Sequence, residues 1–296
     1  MSMRIAFLAD IHGNLPAFEA ALADLKQQAP DAVYLVGDQI NRCPWNNEVM
    51  DLIDELGWPA IQGNHELVVG VISTPDNWYP FTERYRFPIL WWTQENLTAR
   101  HLDTIRALPT AMQIAIADAP SIFMVHGVPN NPHTGFYPTI PDATIEELLT
   151  GVDDPLVVCA HTHRPLDRQS GPWRILNGGS VGLPYNGDPR AQYLLLDLTS
   201  GPDGWQWRST FRQVVYDHSV IPQAFESCGI AMIGGEIAEL ALRTFMSGDP
   251  WSSDFGVWLR NQPAACDPRN MEEMNAAVRV YLQEHGPGRW AFDELV

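Results

Sequence analysis

The sequence predicts an α/β fold that opens on parallel strands and closes on helices. Three observations carry this. Strand and helix patterns alternate over the first third of the chain; closely spaced strand patterns resume between residues 113 and 217; from about Pro222 the chain reads as helix with no further strand. Strands separated by helices require right-handed parallel crossovers, and such sheets present ligand sites at the carboxyl ends of their strands.

Each element follows from its own residues. "RIAFLAD" (4 to 10) is an apolar run that reads as a strand. "NLPAFEAALADLKQQ" then places Phe18, Leu22 and Leu25 on one helical face, with Pro16 in the first turn and Asn14 as its cap. "AVYLVGD" (32 to 38) repeats the strand pattern, and "NNEVMDLIDELG" spaces Val49, Ile53 and Leu56 helically before Gly57 stops it. "WPAIQGN" (58 to 64) reads as a third strand. Trp78, Tyr79, Phe81, Tyr85, Phe87, Trp91 and Trp92 crowd the next stretch, which reads as a packed excursion over the core or as a substrate-stacking lid, before a helix at 97 to 107. "QIAIA", "SIFMVH", "LVVCAH", "RILN", "QYLLLDL" and the alternating "WQWRSTFRQVVYD" predict mixed or antiparallel strands. The helical remainder divides the chain into 1–221 and an appended 222–296 that packs on it.

Composition narrows the function. The chain of 296 residues buries a large core without staples, and its four scattered cysteines form no C-x-x-C pair, which fits free thiols in a reducing compartment. The first apolar run is too short and too early for a signal peptide, and no run reaches membrane-spanning length, so a cytoplasmic protein with no membrane partner is expected. A net charge of −18 without a basic cluster disfavours long nucleic acid. A small phosphate is not excluded, because exposed charges are screened beyond about 8 Å at physiological ionic strength.

The chemistry gathers where apolar strands end. "ADIHGN" offers Asp10 and His12; "GDQINR" offers Asp38 and Arg42; "GNHE" offers Asn64, His65 and Glu66; "MVHGVP" offers His126; "VVCAHTHRP" offers His161 and His163. Five of the nine histidines lie in these clusters. If the chain stayed extended through 161 to 163, the period of two would put both imidazoles on one side. A carboxylate has two oxygens to share, an asparagine a neutral carbonyl oxygen, and imidazoles add nitrogen without charge, a set that suits divalent metals.

The order D-x-H, G-D, G-N-H-E, H and H-x-H over residues 4 to 165 resembles the calcineurin-like metallophosphoesterases, and "NGGSVGLPYNGDPRAQYLLLDL" is similar to their closing segment. The resemblance implies a four-layer α/β/β/α metallophosphoesterase sandwich with the C-terminal helices as an extension. It further implies that Asp10, His12 and His163 hold one metal, that Asn64, His126 and His161 hold a second, that Asp38 bridges them, and that His65 faces substrate as proton donor or charge stabiliser. Two divalent ions (Mn, Fe, Zn, Co or Ni) roughly 3.5 to 4 Å apart would then acidify a shared water for in-line attack on phosphorus. The expected substrate is a small phosphomonoester or phosphodiester, a nucleotide foremost. A dinucleoside polyphosphate hydrolase, a phosphoprotein phosphatase and a noncatalytic metal-binding scaffold for protein partners are the alternatives.

The chain departs from the family pattern at two places. Ala160 stands where the family has glycine before the first histidine of G-H-x-H, the mildest replacement available. Arg42 follows Asp38 at the spacing of a phosphate-contacting arginine, but Asn41 and Cys43 depart from the surrounding G-D-x-x-D-R-G, so Arg42 reads either as a substrate contact or as a structural residue. Glu66 is expected to anchor its loop, and "NGGSVG" to form a tight turn rather than a phosphate cradle, because no helix follows it. His133 is expected among the ordinary histidines or at the border of the pocket.

Overall fold

Two sheets face each other in the computed structural model, which describes residues 2–117, 119–202, 204–262 and 266–285. The chain begins β1 (Ser2–Leu8), α1 (Leu15–Gln28), β2 (Ala32–Leu35), α2 (Asn46–Leu56), α3 (Asn64–Val71), α4 (Pro88–Asn96) and α5 (Ala99–Ala107). It continues with β3 (Ala111–Ile116), β4 (Ala119–Val125), α6 (Asp142–Leu148), β5 (Leu156–Cys159), β6 (Pro165–Ser170), β7 (Trp173–Gly178), β8 (Ala191–Gly201) and β9 (Gly204–Val214). Five helices follow: α7 (Val220–Ser227), α8 (Ile230–Gly234), α9 (Glu236–Ser247), α10 (Trp251–Arg260) and α11 (Met271–His285).

The sheets run β2-β1-β8-β9 and β3-β4-β5-β7-β6. β1 is parallel to β2 and antiparallel to β8; β5 lies parallel between β4 and β7, with β3 and β6 antiparallel at the edges. The pleat explains the layers. Ile5 and Phe7 of β1 meet Leu156 and Val158 of β5 in the core between the sheets, whereas Ala6 and Leu8 turn the other way onto Ala17 and Phe18 of α1. Val157 and Cys159 likewise turn outward onto Ile145 of α6. Both sheets are therefore buried on two faces, which gives the four-layer α/β/β/α arrangement and accounts for the unbroken apolar runs of β1 and β5.

Asn14 caps α1 through Ala17 N–H, and Gly57 ends α2 in the left-handed region. The strand expected at 58 to 64 shrinks to one parallel bridge between Leu35 and Ala60. Pro59 has no N–H to donate and Gly63 already caps α3, so the pairing has no room to extend. α3, α4, α6 and β6 are additions to the sequence reading; β6 is a polar edge strand entered at Pro165, where neither alternation nor apolar content signals it.

Phe81, Phe87, Trp91 and Trp92 of the aromatic stretch pack on the main core, while Trp78, Tyr79 and Tyr85 remain 37%, 71% and 42% exposed. Ile221, Phe225, Ile230, Ala241 and Phe245 of the C-terminal helices join that same core. Phe255, Trp258, Met274, Val278 and Tyr281 build a smaller cluster among α9, α10 and α11. The boundary drawn at 221 falls within the first turn of α7. Among the described residues no helix is long and apolar enough to cross a membrane, and all four cysteines are free thiols.

Candidate active site

Every predicted site residue lies just beyond the carboxyl end of a strand or at the start of α3, and the loops that carry them are bent sharply. Asp10, His12, Asp38, Asn41, Arg42, His161 and His163 all have positive φ, between 53° and 83°. Such values cost a non-glycine residue of order 1 kcal/mol or more each and cluster where function holds them. The extended path from 161 to 163 is thus corrected. β5 ends at Cys159, and His161 (φ 68°) and His163 (φ 56°) reach the site through left-handed turns instead of strand alternation. Ala160 is fully buried and donates to the His126 carbonyl, so the missing glycine is accommodated within the sheet.

The turns converge their side chains. Ligand atoms of Asp10, His12, Asp38 and His163 all lie within 4.8 Å of one another. His12 Nε2 and His163 Nε2 are 3.1 Å apart, and His163 Nε2 is 3.5 Å from Asp10 Oδ1. On the other side, Asn64 Oδ1 is 3.1 Å from His126 Nε2 and 2.9 Å from His161 Nδ1. Asp38 Oδ2 sits between the two groups, 3.7 Å from His12 Nε2 and 3.3 Å from His126 Nε2. Both Asp10 carboxylate oxygens, His12 Nδ1 and Asp38 Oδ2 are buried without a hydrogen-bond partner. Unpartnered carboxylate oxygens in a dry interior are costly unless a cation meets them, so this donor set fits divalent metal.

Surrounding groups fix these side chains. His126 Nδ1 donates to the Val36 carbonyl at 2.8 Å and His163 Nδ1 to the Leu183 carbonyl at 2.5 Å, which leaves each Nε2 lone pair turned inward. Glu66 Oε2 accepts from Asp38 N and Gly63 N, both at 2.8 Å, and its Oε1 from Ile40 N, the loop-anchoring role expected of it. "NGGSVG" does more than turn. Ser180 Oγ donates to the Asp10 carbonyl at 2.7 Å, Val181 N and Gly182 N donate to Ala9 and Asp10, and Asn177 Nδ2 reaches Ala160 O and Thr162 Oγ1. A Cβ at Gly182 would run into the Ile11 carbonyl, so glycine is required where this strap crosses the first metal loop. Sequence reasoning missed the strap; the only signal was small residues after a strand, which turns share.

The electrostatics follow from burial and crowding. Burial pushes the Asp10 carboxyl well above the carboxylate range, with Asp38 adding to it. Burial also opposes ionisation of Asp38, but His126, His65 and His12 outweigh it and hold that carboxyl well below its ordinary value. His126 resists burial because Asp38 and Asp10 face it, and it rises to about 10. Burial, aided by neighbouring imidazoles, lowers His161 and His163 to about 3 and His12 well below its ordinary value. His12, His161 and His163 are thereby neutral, the form that binds metal, whereas His126 carries a second proton near neutral pH that a bound cation would have to displace.

His65 stands beside this set, its Nε2 3.8 Å from Asp38 Oδ2. Thr93 Oγ1 donates to Asn41 Oδ1, which turns the Asn41 amide nitrogen toward His65 Nδ1 at 2.5 Å. Nδ1 is therefore an acceptor and Nε2 carries the proton, in accord with burial lowering the imidazole to about 3. His65, Arg42, Arg164, Tyr185 and Tyr137 line a cleft of roughly 150 Å³ over Asp38, Asn64, His161 and His163. Arg42 Nε is buried without a partner, and Arg164 Nε donates to the Tyr185 carbonyl. Tyr185 stacks on His163 with centroids 4.2 Å apart. His133 borders the region, stacked on Phe81 at 5.9 Å, and feels the Asp38 charge.

Known proteins resemble this chain in sequence and fold. The phosphodiesterase YfcE of Escherichia coli is 25% identical over 205 residues, 66% of this chain and 88% of its own. An uncharacterized protein of Methanocaldococcus jannaschii is 26% identical over 208 residues, 65% of this chain and 82% of its own. A metallophosphoesterase from Sphaerobacter thermophilus superposes with a TM-score of 0.63 at 27% identity, covering 84% of this chain and 100% of its own. A hypothetical protein from Pyrococcus horikoshii superposes with a TM-score of 0.66 at 22% identity, covering 83% and 98%. The calcineurin-like phosphoesterase pattern matches residues 3–165, more than half of the 296, and the chain therefore belongs to that family as a metal-dependent phosphoesterase.

Proposed function

We propose that the protein hydrolyses a small phosphomonoester or phosphodiester, a nucleotide foremost, at a centre of two divalent ions. Asp10, His12 and His163 would hold one ion, Asn64, His126 and His161 the other, and Asp38 both. The observation that carries this reading is the position of Asp38 Oδ2, buried without a partner between His12 and His126. When bound, the ions would supply an acidified water and a positive seat for phosphate oxygens.

The remaining work falls to the chain's own residues. Arg42 offers a guanidinium at the cleft wall, where it would pair with a phosphate oxygen and orient the ester. His65 offers its Nε2–H to the oxygen that gains charge as the P–O bond breaks, and Asn41 holds it in the tautomer that can do so. The straps and turns keep both loops from relaxing, so little reorganisation accompanies the reaction. The phosphodiesterase name of the E. coli relative favours diesters among the first substrates to try. Purified protein should be loaded in turn with Mn, Fe, Zn, Co and Ni, its bound metal counted, and its turnover followed on nucleoside monophosphates, cyclic nucleotides, dinucleoside polyphosphates and simple diesters. Two bound ions with turnover of at least one class is the expected result. One bound ion, or two with no hydrolysis of any, would overturn the proposal.

A further inference from the structure

The cleft over the metal loops has a neighbour. A second hollow of about 270 Å³ adjoins it, and Arg42 lines both. The walls of this hollow come from two segments that the metal centre leaves unused: Phe81 and Phe87 of the aromatic stretch, and Leu240 of α9 and Phe255 of α10. Consecutive residues of α10 divide between the two spaces, Ser253 lining the cleft and Ser252 the hollow. Among the described residues no carboxylate lines the hollow, although the protein carries a net charge of −18.

We infer that this hollow receives the leaving group of the substrate, the alcohol or aryl oxide freed when the P–O bond breaks, and that this group carries a planar aromatic ring, as an aryl oxide does directly and a nucleoside does beyond its sugar. The inference rests on the phosphoesterase reading of the cleft. Three phenylalanines give a ring faces and edges to pack against. Three arginines, Arg42, Arg86 and Arg260, share the walls; Arg86 pairs with Glu83 and lies 5.4 Å over the Phe87 ring, and Ser252 Oγ and Arg42 Nε are the lining atoms buried without a partner among the described residues. Guanidinium planes stack on aromatic faces as phenylalanine rings do, so a planar ring can use both kinds of wall, whereas a group made only of sugar or polyol would leave the three phenylalanine faces uncovered. Arg42 at the junction lies where the ester oxygen must pass from one space to the other. The proposal also gives the aromatic stretch and the C-terminal helices a common task, since the hollow exists only because they meet.

Gly256 supplies the test. It lies within α10 on the wall of the hollow, and a Cβ there meets nothing within 4 Å, so a larger side chain enters open space and helix propensity rises. Wild type, Gly256→Ala and Gly256→Leu should be loaded with Mn and compared on phenyl phosphate and methyl phosphate, with calorimetric titration of phenylphosphonate and methylphosphonate alongside. Wild type is expected to bind phenylphosphonate on the order of 10-fold or more tighter than methylphosphonate, as burial of a ring requires. Gly256→Leu should lose about tenfold or more in kcat/KM on the phenyl ester relative to the methyl ester, with Gly256→Ala in between. Equal losses on both esters, or no preference for the phenyl phosphonate in wild type, would overturn the pocket while leaving the phosphoesterase reading intact. Turnover of neither ester by any metal-loaded form, with no phosphonate bound, would defeat that reading and the pocket together.

Discussion

At the scale of single residues the proposed function separates groups that would hold metal from groups that would face substrate. Asp38 belongs to the first kind. Its Oδ1 accepts from His65 N at 2.9 Å while Oδ2 is left for whatever lies between His12 and His126. Asp38→Ala should lose most bound metal and most turnover in parallel, because one carboxylate serves both sets of ligands. Metal counting and rate measurement on the same preparation check this, and full metal content in the variant would remove Asp38 from the bridge. His65 belongs to the second kind. His65→Ala should keep its metal and lose on the order of 10²- to 10³-fold in kcat, as the loss of one preorganised donor does. The loss should be larger for alkyl than for aryl esters, since an alkoxide needs the donor more. Equal losses across graded leaving groups would assign His65 to positioning of phosphate or water.

Elements explain why the residues could be read from sequence while their support could not. The loops of Asp10 and His161 follow strands buried on both faces, so a solid apolar run ending in Asp or His marks them without knowledge of the third dimension. The conformation of those loops is another matter. Left-handed turns at His161 and His163 are set by contacts with Leu183, Tyr185 and the end of β7, which are distant in sequence. β6 and α6 escaped for the same reason, because their amphipathic faces are short and tertiary contacts hold them. The strap from Asn177 to Leu183 is the clearest case: polar side chains and backbone of one turn fix two loops at once. Ser180→Ala removes the bond to the Asp10 carbonyl and should weaken metal binding by roughly 10- to 100-fold, the usual effect of removing an outer support. Metal titration of the variant checks it, and unchanged affinity would reduce the strap to a fold element.

At the scale of the whole molecule, charge and metal govern what the protein tolerates. With 36 acidic against 18 basic residues, a polymer backbone meets repulsion that a single phosphate in the Arg42-lined cleft escapes. Long RNA added at low salt should therefore fail to compete with a small ester, and steep, salt-sensitive inhibition would contradict this. Removing the metal should destabilise the fold, since ligand at 1,000 times its Kd contributes about 4 kcal/mol. The Tm should fall by several degrees in chelator. The sign of the pH dependence in chelator follows from the buried groups. His12, His65, His161 and His163 are lowered from 6.5, the last three to about 3, so the unfolded chain takes up protons there that the native chain refuses. Their contribution is full above 6.5 and is lost as pH falls toward 3. Asp10 and Glu66, raised by burial, act in the opposite sense, but two carboxyls oppose four imidazoles. His126, raised to about 10, contributes fully below 6.5 and is lost as pH climbs through that higher value. Chelated protein should accordingly be most stable near pH 6.5, with Tm falling on both sides and most steeply in acid. Added Mn should lift the whole curve, least at the acid end where protons compete for the same imidazole nitrogens. A Tm that stays flat from pH 6.5 to 4 in chelator would show that these histidines are hydrated or already charged in the native state, and that the dry, neutral ligand cage is not how the fold prepares for metal.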